Sequence, residues 1–179
     1  GNADANALKP YIEQYIASLP SLHKKEAAKP TMFMRTGIYT NEFTKVQETP
    51  KSTIIYLYTG NTPYNLKNDI MASMLGQILD IVYTKTIRED AGAAYSVGVQ
   101  ASMDYFPKQQ VLLEISFPTA PEKKDLAMKL TKEGIEDLIA KGPEEASLNK
   151  VKEFMLKKHA EDVKENSYWM GTLDRKSVV

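Results

Sequence analysis

The sequence predicts an α+β fold, with a layer of helices on one face of a mostly antiparallel sheet and its strands and first long helix in split β-α-β order. Three observations predict it. Thr53 to Thr59 reads Thr-Ile-Ile-Tyr-Leu-Tyr-Thr, a run of β-branched and aromatic residues of the kind strands favour. Apolar residues then recur at i, i+3, i+4 spacing from about Asn65 to Arg88, the stripe of an amphipathic helix. Two alternating stretches follow, one starting at Tyr95 and the other running from Val111 to Phe117, with a short loop containing Pro107 between them. Alternation of period two on both sides of such a loop indicates an antiparallel hairpin.

Each element has a local cause. Leu8, Tyr11, Ile12, Tyr15, Ile16 and Leu19 lie at helical spacing, which predicts a helix from about residue 5 to 18, ended near Pro20, with Pro10 tolerated in its first turn. Ser21 to Pro30 is polar and lysine-rich, a linker, and Thr31 to Pro50 mixes polar residues with short extended pieces that suit one or two edge strands. The near-continuous apolar run ending at Gly60-Asn61-Thr62-Pro63 predicts a central strand followed by a breaker. In the long helix, Ile70, Met71, Met74, Leu75, Ile78, Leu79 and Val82 form the expected buried stripe, and Gly76 among them permits close approach to a sheet.

The residues after the hairpin give three more helices. Pro118 and Pro121 end the second hairpin strand, and a helix from about Pro121 to Lys141 is expected to turn Leu126, Leu130, Leu138 and Ile139 inward. Gly142-Pro143 stops it, glycine just past the end and proline opening what comes next. Leu148, Val151, Phe154 and Met155 stripe the following helix, and the tail from Asn166, which holds Trp169, predicts a further short one. A strand-helix-strand crossover, then a hairpin and a helix, is the ferredoxin-like arrangement.

Composition removes several classes of function. With 23 basic and 23 acidic residues the chain carries no net field to draw in nucleic acid or an anionic membrane. It has no cysteine, which removes disulfides, thiolate metal sites and thiol catalysis and fits periplasm and cytoplasm equally. No run of about 18 apolar residues occurs, and the opening Gly1-Asn2-Ala3-Asp4-Ala5 lacks the basic and apolar segments of a signal peptide. That opening enters a helix with no strand before it, so a cut in a longer protein is the expectation.

The chemistry-bearing residues are few. His23 and His159 lie on different predicted elements, and neither sits in an H-x-x-E-H or H-E-x-x-H arrangement, so no metal ligands can be assigned. No nucleophile elbow or phosphate-cradling glycine loop occurs, and Glu144-Glu145 suits the opening turn of a helix. Arg88 and Tyr95 remain, seven residues apart across the turn at Gly92. In the structural reading, Arg88 complements a helix C-terminus and Tyr95 begins a core-facing alternation with Val97 and Val99. In the functional one, a cation and a phenol reach the same rim of the sheet.

Leu75-Gly76-Gln77-Ile78-Leu79-Asp80, then Ile87-Arg88-Glu89, then Tyr95-Ser96-Val97 resemble the C-terminal-half signature of the pitrilysin-type zinc metallopeptidases, the inverzincins that include insulysin and mitochondrial processing peptidase. Leu8-Lys9-Pro10 and Tyr15-Ile16 with Ser18-Leu19-Pro20-Ser21, Ile115-Ser116-Phe117 with Ala120-Pro121-Glu122, and Gly142-Pro143-Glu144-Glu145 with Leu148-Asn149-Lys150-Val151-Lys152 are similar to further stretches of that half. Ala146 and Ser147 depart from its usual pattern. Together the pieces cover most of residues 8 to 160.

The resemblance implies a metallohydrolase-like half-domain. Residues 1–24 would be a helix left over from the preceding repeat, 25–44 a linker and edge strand, and 45–179 the C-terminal substrate-binding α+β domain. Arg88 would hold a peptide carbonyl and Tyr95 would donate to the developing oxyanion. No cofactor or metal is implied in this chain; zinc is expected in the missing N-terminal half, which carries H-x-x-E-H, so the chain by itself would be inactive. Implied partners are a peptide substrate, the zinc-bearing half and, through orphaned surfaces, further copies of the chain, with no nucleic acid and no membrane. If the parent is a bacterial zinc protease, a periplasmic or cell-envelope setting is implied over the cytoplasm. Two competing readings are a non-catalytic peptide-binding or scaffold subunit of the same fold, and an unrelated split β-α-β regulatory module binding a small ligand.

Overall fold

Strand β3 (Gln110–Thr119) lies between β1 (Ser52–Asn61) and β2 (Gly98–Asp104) and is antiparallel to both, in a computed structural model that describes residues 3–21 and 34–177. β1 and β2 therefore run parallel on either side of the strand that splits them. The crossover between them is α2 (Leu66–Tyr83), continued by a π-helical stretch from Thr84 to Asp90. This is the expected split β-α-β unit with wholly antiparallel pairing.

Register decides what the sheet buries. Ile54 pairs with Phe117, Tyr56 with Ile115, and Ile115 with Val99, and residues two apart share a face. Ile54, Ile115, Phe117 and Met103 are buried on that inner face, where Leu79, Tyr83, Ile87 and Ala127 join Ile54, Ile115 and Phe117 in one core cluster. The outer face is different. Ile55 is 60% and Leu57 54% exposed, and among the described residues β1 is an edge strand, not the central strand its apolar run predicts. An apolar run buried on both faces and one with an open apolar face look alike in sequence.

Helix α2 begins at Asn65, whose side-chain oxygen accepts the Asn68 N–H at 2.8 Å. Its buried residues are Ala72, Gly76, Ile78, Leu79 and Tyr83, whereas Ile70 and Met71, expected inward, are exposed. The reason is distance. A Cβ on Gly76 would stand 3.0 Å from the Ala101 backbone nitrogen, so the helix rests on β2 at Gly76, and Ile70 and Met71 turn to solvent.

A 3-10 turn, Pro121–Lys123, leads into α3 (Lys124–Lys141), which ends at Gly142 with φ +73° and its N–H donated to Leu138 at 3.0 Å. Ala127 and Thr131 are its buried residues; Leu126 and Ile139, expected inward, are exposed. Tyr83 sets this face, donating its hydroxyl to the Thr131 carbonyl at 2.8 Å from a fully buried position. Residues 34–51 are irregular, with no strand, so the described part of the expected edge-strand region contains none. Glu42 in this segment forms an ion pair with Lys124.

Two compact units divide the chain, one of residues 30–156 and the other of 1–29 with 157–179, so that α4 (Glu145–Asp162) belongs to both. In the larger unit, α4 buries Val151 and leaves Phe154 exposed. The smaller unit holds α1 (Ala5–Ile12), extended by a π-helical stretch Glu13–Ala17, and α5 (Asn166–Ser177). Asp4 caps α1 by accepting from the Asn6 N–H at 2.8 Å. Pro10 lies beyond the first turn rather than in it, and because proline has no N–H it gives none to the Asn6 carbonyl. The predicted tail helix is α5, where the Trp169 indole donates to the Val163 carbonyl at 2.7 Å. No described helix is long and apolar enough to cross a membrane.

Candidate functional site

The end of α2 shapes the site. Its π-helical last turns carry Arg88 outward and bury Ile87. Gly92 then takes φ +53°, a left-handed value that costs glycine nothing, and reverses the chain. The Ala93 N–H turns back to the Ile87 carbonyl at 2.8 Å, a widened form of a glycine-terminated helix end.

Beyond the turn the chain is fastened to β3. Thr119, the next inward residue after Ile115 and Phe117, donates its hydroxyl to the Ala93 carbonyl at 2.5 Å, and Ala94 bridges to Thr119 in antiparallel fashion. Ala93, Ala94 and Thr119 are all buried. From the 3-10 turn before α3, Lys123 reaches over and donates to the Gly92 carbonyl at 2.8 Å.

Tyr95 follows immediately and is 85% exposed. The expected core-facing alternation of Tyr95 with Val97 and Val99 fails at its first member, because β2 starts only at Gly98 and the buried seats before it go to Ala93 and Ala94. The Arg88 guanidinium carbon lies 5.9 Å from the Tyr95 ring centroid. A cation at that distance over an exposed ring is held by about 0.5–1 kcal/mol. The two residues thus meet at one rim, both open to solvent.

Beside them is an open pocket of about 400 Å³, lined among others by Lys51, Gly92, Tyr95, Thr119, Glu122 and Lys123. Together these groups can donate hydrogen bonds to carbonyl or carboxylate oxygens, since a guanidinium is always charged and a phenol donates. They do not fit a zinc ion. Among the described residues no three His, Cys, Asp or Glu side chains come together to hold a metal. His159 is exposed with its ring 5.6 Å from that of Tyr168, and His23 lies outside the described residues.

Sequence reasoning missed Thr119 and Lys123. Thr119 left a signal, since the parity of Ile115 and Phe117 points it inward and a buried hydroxyl needs a partner. Lys123 left none, because its partner is a backbone carbonyl 31 residues away.

The family model described as the Peptidase M16 inactive domain matches residues 1–155. The chain belongs to the peptidase M16 family. Two solved structures share its fold. One is a mutant of the ferredoxin protease FusC in complex with Arabidopsis ferredoxin, at 17% identity and a TM-score of 0.66, covering 93% of this chain and 18% of that one. The other is the periplasmic protease PqqL from Escherichia coli, at 23% identity and a TM-score of 0.68, covering 98% of this chain and 19% of that one. The chain thus spans about a fifth of the length of each. No curated protein gives a significant match. As the inactive-domain description states, this M16 segment is the non-catalytic part of its family's architecture, and its helix-on-antiparallel-sheet fold is that of both structures.

Proposed function

We propose that this M16 domain grips the backbone of an extended peptide through Arg88 and Tyr95, on behalf of a catalytic half that brings the metal and its water. The observation supporting the reading is the meeting of the two side chains. Arg88 before the Gly92 turn and Tyr95 after it converge to 5.9 Å at an exposed rim beside an open pocket, where a core-facing Tyr95 would have been out of reach.

The chemistry follows from the donors. Arg88 donates to a peptide carbonyl and fixes the chain's register. Tyr95 donates to the oxygen on which charge develops as a neighbouring carbonyl is attacked. A preorganised donor of this kind contributes about 2.7–4 kcal/mol to an acyl-transfer barrier when water is excluded. Nothing in the pair activates water, so the domain alone is inactive toward peptides. The ferredoxin bound in the FusC complex supports a protein or peptide as the class of substrate.

Reconstitution tests this. Combined with the H-x-x-E-H half of its parent protein, the chain is expected to restore peptide cleavage, and Arg88→Ala or Tyr95→Phe to lower kcat by about a hundredfold. Full turnover in both variants would remove the pair from the reaction.

A further inference from the structure

We infer that Lys123 is a positioning residue that sets where Tyr95 stands relative to Arg88, and the inference rests on the reading of those two as the peptide grip. Tyr95 is 85% exposed and lies in the irregular segment before β2, so little around its own side chain holds it. Its place is decided by the backbone that delivers it. That backbone is fastened after the turn, where the Thr119 hydroxyl holds the Ala93 carbonyl and Ala94 bridges to Thr119, and at the turn itself, where the Lys123 ammonium holds the Gly92 carbonyl.

The two fastenings differ in what they control. Thr119 ties Ala93 to β3 after the turn, and the Ala93 N–H ties the same residue back to Ile87. Gly92 sits between Arg88 and Tyr95, and it is the residue in this turn with a left-handed φ, +53°. Glycine has several accessible wells, so a rotation here changes the separation of the two side chains. Lys123 restrains that rotation. Its own backbone is fixed at the start of α3, its N–H bonded to the Ala120 carbonyl at 2.9 Å, and its side chain crosses to Gly92 along the wall of the pocket that Tyr95 also lines. Hydrogen bonds to a charged donor are stronger than neutral ones, and exposure reduces that advantage.

Hydrogen exchange and proton shifts of the full chain test the inference without a peptide. In Lys123→Met the Ala93 and Ala94 amides should exchange about fivefold faster. The Arg88 side-chain methylene shifts should move toward those of Tyr95→Leu, in which no ring current acts on them. Lys123→Arg, which keeps a cationic donor, should restore both. Amides in β3 and α3 should be unchanged. Parent-like exchange and shifts in Lys123→Met would overturn the inference, as would a uniform acceleration across the sheet, which would make Lys123 a contributor to global stability only. A failure of peptide capture would count against the proposed function and leave this result standing.

Discussion

Tyr83 occupies the space that a side chain at Gly134 would need: a Cβ there would stand 2.5 Å from the Tyr83 Cε1 atom. The ring is fully buried, and its hydroxyl is bonded one turn away to Thr131, so it has little room to withdraw. Gly134→Ala is therefore expected to destabilise the fold. Removing a mid-helix glycine gains about 1 kcal/mol of helix propensity. Overpacking a well-filled core costs about 1–3 kcal/mol, and at this separation the cost wins. A lower urea midpoint with an unchanged slope is the expected result.

The same tyrosine predicts the response to alkali. Burial, and then the neighbouring Tyr58 and Tyr56, push the Tyr83 phenol well above its ordinary value, and burial also raises Tyr56 and Tyr58. A raised folded-state value means that the native protein holds its proton more tightly than the unfolded chain does. Stability from this source is fully present below the unfolded tyrosine value of about 10 and is lost as pH rises above it. Tyr83→Phe should lose about 1 kcal/mol near neutral pH, for the bond to Thr131, and show a shallower decline above about pH 10. Melting curves across that range check both.

Gly76 makes the corresponding contact on the sheet side. Its missing Cβ would lie 3.0 Å from the Ala101 nitrogen and 3.3 Å from the Ala101 Cβ, and a strand backbone yields less than a side chain end. Gly76→Ala is expected to lose about 1 kcal/mol net, the gain in propensity being outweighed by displacement of α2 from β2. Gly76→Val should lose more, measured by the same denaturation.

Thr119→Val keeps the shape of the side chain and removes the donor to the Ala93 carbonyl. A buried acceptor left unpaired costs about 1–3 kcal/mol. Alongside the loss of stability, the Ala93 and Ala94 amides should exchange faster than those of β1, because the fastening lost is local to the turn.

Much of this fold could be read from residue order. The helix after β1, the hairpin, the Gly142-Pro143 stop and the close approach at Gly76 each follow from a local pattern, and the structure contains all four. What could not be read depends on partners distant in sequence. Of the stripe Leu126, Leu130, Leu138 and Ile139, Leu130 and Leu138 pack against the core while Leu126 and Ile139 are exposed; Thr131 and Gly134, which are not apolar and so left no stripe signal, face the buried Tyr83 ring instead. Ile55 and Leu57 made β1 resemble a central strand although their face is open. At the candidate site, Arg88 and Tyr95 were visible as a pair across a glycine turn. The outward stance of Tyr95 was not, because it depends on where β2 begins and on what Thr119 and Lys123 hold.

If Arg88 and Tyr95 act together on one peptide backbone, their contributions to binding are coupled, and a double-mutant cycle measures that coupling. An unstructured fluorescent peptide of about 20 residues, long enough to lie extended across the rim, would be titrated into the parent chain, Arg88→Ala, Tyr95→Phe and the double variant. A shared grip gives weaker binding in each single variant and a coupling energy of at least about 0.5 kcal/mol between them, as for residues that share a partner. Equal affinity in all four proteins would contradict it.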